Sequence, residues 1–253
     1  MLSTTGDFLR TYMDVVKPEL LSYDFYQWWW GSEWYYSRLE VHRSAALAAD
    51  IPLLVWIEAN AAVSQESGGA GPAYLPDNQQ RLRQSVYTSL AYGVKGIQWF
   101  VYSLIFGPGA ELTRSGQDIA KINAELQVLG PTLMQLHSVD VFHTAPLPRD
   151  TRPLPPDYWV QCTGRDWVLG VLKDTAGADY LLVANRDWQR GRSALLQFPR
   201  GVRAVQSMAK RSGRWWDLEL RENRGRQFVA CAIGPGDGEL LKVEQNQAGV
   251  SSK

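Results

Sequence analysis

Ile51-Pro-Leu-Leu-Val-Trp-Ile-Glu58-Ala-Asn60 is a continuous apolar run ending in one carboxylate, and after a loop and a helical stretch it is followed by Lys95-Gly-Ile-Gln-Trp-Phe-Val-Tyr102. Runs of this kind read as strands buried on both faces, the signature of a parallel sheet covered by helices. Such sheets build their sites at the C-terminal strand ends, where the departing loops converge. Glu58 therefore arrives at a site-forming edge, and Trp99, Phe100 and Tyr102 arrive beside it. A carboxylate ringed by aromatics points to carbohydrate chemistry, since aromatic rings stack on the apolar faces of sugars.

Helical and extended periods alternate outward from this stretch. Thr4 or Thr5 can cap a helix carrying Phe8, Leu9, Tyr12, Val15 and Val16. A strand is expected over Leu20–Tyr26, and Ser32 opens a helix reaching about Ala49. Asp77 is expected to cap a third helix, with Leu82, Val86 and Leu90 inward and its end at Gly93. A long helix from about Ser115 carries apolar residues through Leu136. This alternation implies βαβ units and a parallel sheet.

Past the proline-rich stretch 146–156 the pattern changes to short strands separated by glycine-bearing polar turns, as in an antiparallel sandwich. The expected organisation is an α/β segment over 1–145, a linker over 146–156, a β-sandwich over 157–245 and a disordered tail over 246–253.

Composition excludes several classes of function. The 253 residues carry 26 basic and 26 acidic side chains, so no net field recruits nucleic acid or an anionic membrane. No apolar run is long enough to span a bilayer. No basic region followed by an apolar stretch opens the chain, so no signal peptide is visible and a cytoplasmic location is the default expectation. Cys162 and Cys231 match no metal spacing; they can pair across strands or, the favoured reading, stay as separate buried thiols. His42, His137 and His143 lack ligand spacing, no Gly-x-Ser-x-Gly elbow is present, and Gly68-Gly-Ala-Gly lacks the Lys-Ser/Thr of a phosphate loop. No metal or cofactor is expected.

Three segments resemble the C-terminal part of a clan-A glycoside hydrolase barrel, in particular the family 42 β-galactosidases. Leu21-Ser-Tyr-Asp-Phe-Tyr26 is similar to the sixth strand of such barrels, Pro52-Leu-Leu-Val-Trp-Ile-Glu58 to the seventh, and Leu90-Ala-Tyr-Gly-Val-Lys-Gly-Ile-Gln-Trp-Phe100 to the passage into the eighth. The resemblance implies a partial (β/α) TIM-type barrel of about three strands followed by a β-sandwich. It further implies a retaining hydrolase of β-linked oligosaccharides or galactosides, with Glu58 as nucleophile and no cofactor. The family's acid/base lies in an Asn-Glu pair, and no Asn-Glu dipeptide occurs in this chain.

A retaining mechanism needs two carboxyls about 5 Å apart. Asp24, Glu33, Glu40 and Glu66 are the candidates for the second, with Asp24 best placed because it ends the neighbouring strand. Tyr26, Trp28, Trp29, Trp30, Trp34, Asn60, Trp99 and Tyr102 are the candidate substrate-binding residues. Three consecutive Trp diverge in direction, so at least one is expected outside the core, on sugar or on a subunit. Open edges of a three-stranded parallel sheet invite a second copy of the chain. The rival expectation is a non-catalytic carbohydrate-binding or assembly protein derived from a truncated glycosidase barrel.

Overall fold

The computed structural model describes residues 2–61, 74–198 and 201–245, with backbone alone for residues 2–5. Glu66 and the tail 246–253, for which sequence expectations were stated, lie outside the described residues. In chain order the elements are α1 (Leu2–Val16), β1 (Leu21–Asp24), α2 (Gln27–Trp30), α3 (Tyr35–Ala48), β2 (Leu53–Glu58), α4 (Asn78–Ala91), β3 (Gly96–Phe100), α5 (Tyr102–Ile105) and α6 (Arg114–Leu133). They continue as β4 (His137–His143), β5 (Gln161–Thr163), β6 (Trp167–Lys173), β7 (Asp179–Asn185), β8 (Arg192–Phe198), β9 (Val202–Met208), β10 (Trp215–Asp217), β11 (Arg221–Asn223), β12 (Arg226–Ile233) and β13 (Gly238–Gln245).

β1, β2 and β3 form a parallel sheet in that order, with Asp24 beside Trp56 and Glu58 beside Phe100. Two antiparallel sheets follow: a six-stranded one ordered β10-β9-β13-β7-β6-β4 and a four-stranded one ordered β11-β12-β8-β5. The chain is thus mixed α/β, with a parallel sheet followed by a two-sheet antiparallel part. The first antiparallel strand, β4, precedes the proline-rich stretch and pairs with β6. Sequence alone does not mark His137–His143 as a strand, because alternation of His, Ser and Asp with Val and Phe is weak beside the preceding helix. β10 and β11 are the shortest strands of this part together with β5, three residues each.

The six-stranded sheet is buried on both faces. Trp167, Leu169, Val171, Leu181 and Val183 face the four-stranded sheet, whose Leu196, Phe198, Val229 and Ile233 complete one core. Val168, Leu172, Leu182 and Ala184 face the helices and join the core of the parallel segment. That double burial explains why β6 and β7 read as unbroken apolar runs rather than alternating ones. Each large side chain buried this way contributes about 1.5–3 kcal/mol.

α4 lies between the parallel sheet and the six-stranded sheet, so most of its circumference is buried, its polar residues included. The hydroxyls of Thr88 and Ser89 donate to the carbonyls of Gln84 (2.6 Å) and Ser85 (2.7 Å), which lets small polar side chains sit in a dry layer. Gly170 permits the close approach: a Cβ there would stand 2.1 Å from the carbonyl oxygen of Ala91. Arg83 fastens the layers, bridging both carboxylate oxygens of Glu125 (2.9 and 2.8 Å) and Asp237 (2.8 Å). Asp77 stands at the N-cap of α4 without a side-chain capping bond, and its carboxylate instead meets Arg81 at 3.2 Å. Thr113 does cap α6, accepting from the Gly116 amide at 3.0 Å.

Candidate functional site

Register decides which residues reach the C-terminal edge of the parallel sheet. Side chains paired across parallel strands share a face, and alternate residues along a strand point oppositely. Leu53, Val55 and Ile57 face the helices and are buried. Asp24, Trp56, Glu58, Gln98 and Phe100 share the other face, and the Ser22 hydroxyl meets the Gln98 side chain across β2 at 3.5 Å.

Glu58 is 1 % exposed. The chain leaves β1, turns at Tyr26 and folds α2 over the carboxylate, whose Oε1 accepts from the Trp28 amide at 2.7 Å. Burial raises the Glu58 pKa to about 8, against the downward pull of the hydrogen bonds from the Trp28 and Glu58 amides. At neutral pH the group is therefore largely an uncharged acid. Asp24 is exposed and shares a hydrogen bond with the Tyr26 hydroxyl; burial first, then the Asp24 carboxylate, hold that phenol well above its ordinary pKa. Strand geometry puts the Cα atoms of Asp24 and Glu58 about 8 Å apart on one sheet face.

The three consecutive tryptophans diverge. Trp28 turns toward the sandwich, its indole N–H donating to the Arg81 carbonyl (3.2 Å) and the Ser85 hydroxyl (3.1 Å), and its ring meets Trp188 edge-on at 5.9 Å. Trp29 donates to the Asn60 carbonyl at 2.8 Å and lies against Tyr26 and Phe100. Trp30 is 58 % exposed. Tyr26 is buried and stacks on Phe100 at 5.0 Å, and Asn60 is buried too. Tyr102, 64 % exposed, stacks on Phe106.

Three expected site side chains lie elsewhere: Trp28, by its turn toward the sandwich, and two more. Trp99 occupies the opposite parity to Glu58 and points into the helix layer, donating to Asn123 of α6 at 3.0 Å. Trp34 lies beneath the Arg149 guanidinium, 3.6 Å away, beside the sandwich loops. Of the other carboxylates, Glu33 pairs with Arg149 (2.8 Å) and Glu40 with Arg43 (3.1 Å). The edge thus brings together Glu58, Asp24, Tyr26, Trp29, Trp30 and Tyr102. Phe100 belongs with them, and its place beside Trp99 and Tyr102 in sequence was the signal for it.

Cys162 and Cys231 are free thiols on strands flanking β8, and burial pushes both to about 12. Among the described residues no group of three or more His, Cys, Asp or Glu side chains could hold a metal ion, and no helix is long and apolar enough to cross a membrane.

No family model matches the sequence, and no curated protein matches it. Solved structures similar in fold include a bacterial fucosidase (TM-score 0.42, 11 % identity, 92 % of this chain against 44 % of that one). They also include the GH51 arabinofuranosidase from Xanthomonas axonopodis pv. citri (0.41, 13 %, 96 % against 56 %). A third is a GH29 α-L-fucosidase from Bacteroides thetaiotaomicron (0.38, 10 %, 80 % against 40 %). The chain spans about half the length of each. All three are glycoside hydrolases, and similarity this slight assigns neither family nor activity.

Proposed function

We propose that this protein recognises carbohydrate on the aromatic edge of its parallel sheet and does not hydrolyse it unaided: a glycosidase-type scaffold whose strand-end acid has become part of the fold. The observation that carries the reading is the state of Glu58. A glycosyl-enzyme nucleophile must be ionised and open to the anomeric carbon. Glu58 is sealed under α2 and held toward its neutral form. Trp30, Phe100 and Tyr102 remain exposed around it, as large aromatic surface that stacks on sugar. The ligand class implied by the resemblance is a β-linked oligosaccharide or galactoside.

Hydrolysis is the second reading, favoured by Asp24 and Glu58 sharing one sheet face. A spacing of about 8 Å between their Cα atoms leaves side chains room to meet the separations that glycosidases use. Self-association belongs to either reading, because the outer edges of β1 and β3 have no strand partner among the described residues.

Aryl glycosides with good leaving groups separate the two readings. The expected result is no turnover above the buffer rate, together with measurable oligosaccharide binding that Trp30→Ala weakens. Turnover that disappears in Glu58→Gln establishes the hydrolase instead.

A further inference from the structure

A second cleft, of about 340 Å³, lies where the corner between α2 and α3 meets the sandwich loops carrying Pro146–Arg149 and Arg186–Trp188. One wall is aromatic: the Trp28 and Trp188 rings meet edge to face, and the Arg81 guanidinium sits 3.9 Å over the second and 4.9 Å over the first. This clamp makes Trp188 a fixed surface rather than a loose loop residue.

The floor is polar and buried. Gln27, 2 % exposed, spends its amide N–H on Ser85 (2.6 Å) and Gln84 (3.4 Å), while its Oε1 is buried without a partner. Arg186 gives Nη2 to the carbonyls of Thr144 and Pro146, each at 2.7 Å, while its Nε is buried without a partner. Both atoms are closed to solvent, so a ligand in the cleft reaches them through a small shift of the Gln27 and Arg186 side chains, which the cost of a buried donor and a buried acceptor left unmatched favours. The charges lining the cleft are already matched: Glu33 with Arg149 at 2.8 Å, and Asp166 with Arg186 at 4.0 Å and with Arg192 at 3.0 Å. An ionic ligand gains little from such a balanced lining.

We infer that this inter-layer cleft binds one neutral sugar residue, with an apolar ring face against Trp188 and hydroxyl groups supplying both a donor to Gln27 and an acceptor to Arg186. A hydroxyl is both donor and acceptor, which is what the two unmatched groups together require. The cleft volume lies at the lower end of the range for small-ligand sites, fitting one ring rather than a chain. The inference is independent of the sheet-edge reading, because Trp30, Phe100 and Tyr102 take no part in the cleft.

The test is saturation-transfer NMR on the full chain with a panel of glucose, galactose, mannose, fucose and xylose, supported by tryptophan fluorescence titration. At least one sugar is expected to bind, with affinity falling tenfold or more in Trp188→Ala and in Gln27→Leu and unchanged in Trp216→Ala, an exposed aromatic of β10 outside both sites. Trp188 sits in a loop, so its truncation keeps the test informative if Gln27→Leu fails to fold. No binding across the panel overturns the inference, and so does binding of inorganic phosphate in preference to every sugar. Binding lost in Trp30→Ala but kept in Trp188→Ala overturns it as well, while supporting the sheet edge as the site. Loss in Trp188→Ala with silence toward oligosaccharides at the edge supports the cleft and removes the sheet-edge reading.

Discussion

The Trp28 amide donates to the Glu58 carboxylate at 2.7 Å, joining residues 30 positions apart, while the Trp28 ring packs on Trp188 of the sandwich. One residue therefore ties the end of β2 to the antiparallel part. The acid at the strand end and the orientation of the aromatic cleft are parts of one packing arrangement.

The first consequence concerns pH. The folded pKa of Glu58, about 8, lies above its unfolded value, so folding takes up a proton between about pH 4.5 and pH 8. Its contribution is fully present below pH 4.5 and is lost as pH rises through 8. The shift corresponds to on the order of 5 kcal/mol across that window. Glu58→Gln keeps an acceptor for the Trp28 amide and cannot ionise, so its stability advantage over wild type should grow from pH 5 to pH 9. Urea denaturation at pH 5, 7 and 9 measures it. Parallel pH dependences for the two proteins would mean that Glu58 is ionised in the folded state, as a nucleophile must be.

Trp30 and Trp99 separate surface from core. Trp99 packs against the first core and satisfies its indole N–H on Asn123, so Trp99→Ala should cost about 3–5 kcal/mol of stability. Trp30 is mostly exposed, so Trp30→Ala should leave thermal unfolding within a degree or two while weakening oligosaccharide binding by about 1–3 kcal/mol. Calorimetric melts and titration calorimetry on both variants check the pair. Equal losses of stability would place Trp30 in the core and remove it from the binding edge.

These two tryptophans also show where sequence reading reaches its limit. The run Ile51–Glu58 was legible because one buried and one half-buried face leave an unbroken apolar string, and Glu58 at its end followed directly. Which face each residue of Lys95–Tyr102 takes depends on register against β2, which a single sequence does not reveal. Trp99 was therefore expected at the site, one position away from Phe100, which is there. α4 showed one apolar stripe, Leu82, Val86 and Leu90. Its second buried face is built from Ser, Thr and Gln: the Thr88 and Ser89 hydroxyls bond back to the helix, Ser85 accepts from Gln27 and Trp28, and Gln84 donates to the Arg186 carbonyl, yet in sequence all of them look like solvated residues. Trp188 was the missed signal, an aromatic inside the polar turn Asn185-Arg-Asp-Trp-Gln-Arg190.

The approach of α4 to the six-stranded sheet can be tested at Gly170. A Cβ would meet the Ala91 carbonyl at 2.1 Å, and neither a helix end nor a central strand yields readily. Gly170→Ala should destabilise by about 3 kcal/mol, at the upper end of overpacking costs. Gly6→Ala, in α1 with nothing within 4 Å, should leave stability unchanged or raise it by up to about 1 kcal/mol. Denaturant midpoints of both variants measure the contrast, and a Gly170→Ala midpoint equal to wild type would contradict this packing.

His143 supplies the acid side of the stability profile. Its Nε2 lies 2.8 Å from the Tyr92 hydroxyl, its Nδ1 is buried without a partner, and its ring meets the Tyr36 edge at 4.8 Å. Burial first, then the nearby Arg186 guanidinium, hold its pKa well below 6.5. The unfolded chain therefore takes up a proton that the folded protein refuses. The His143 contribution is fully present above pH 6.5 and is lost as pH falls toward the folded value. His42, also shifted down by burial, acts in the same direction, while Glu58 acts in the opposite one. A wild-type curve alone therefore cannot isolate His143, and the comparison must be with a variant. His143→Gln retains a hydrogen-bonding side chain for Tyr92 and has no proton to gain, so the stability difference between wild type and variant should narrow steadily from pH 7 to pH 5. Urea midpoints at half-unit intervals across that range decide it. A difference that stays constant would show that the imidazole charges equally in both states and that Nδ1 has a partner in solution.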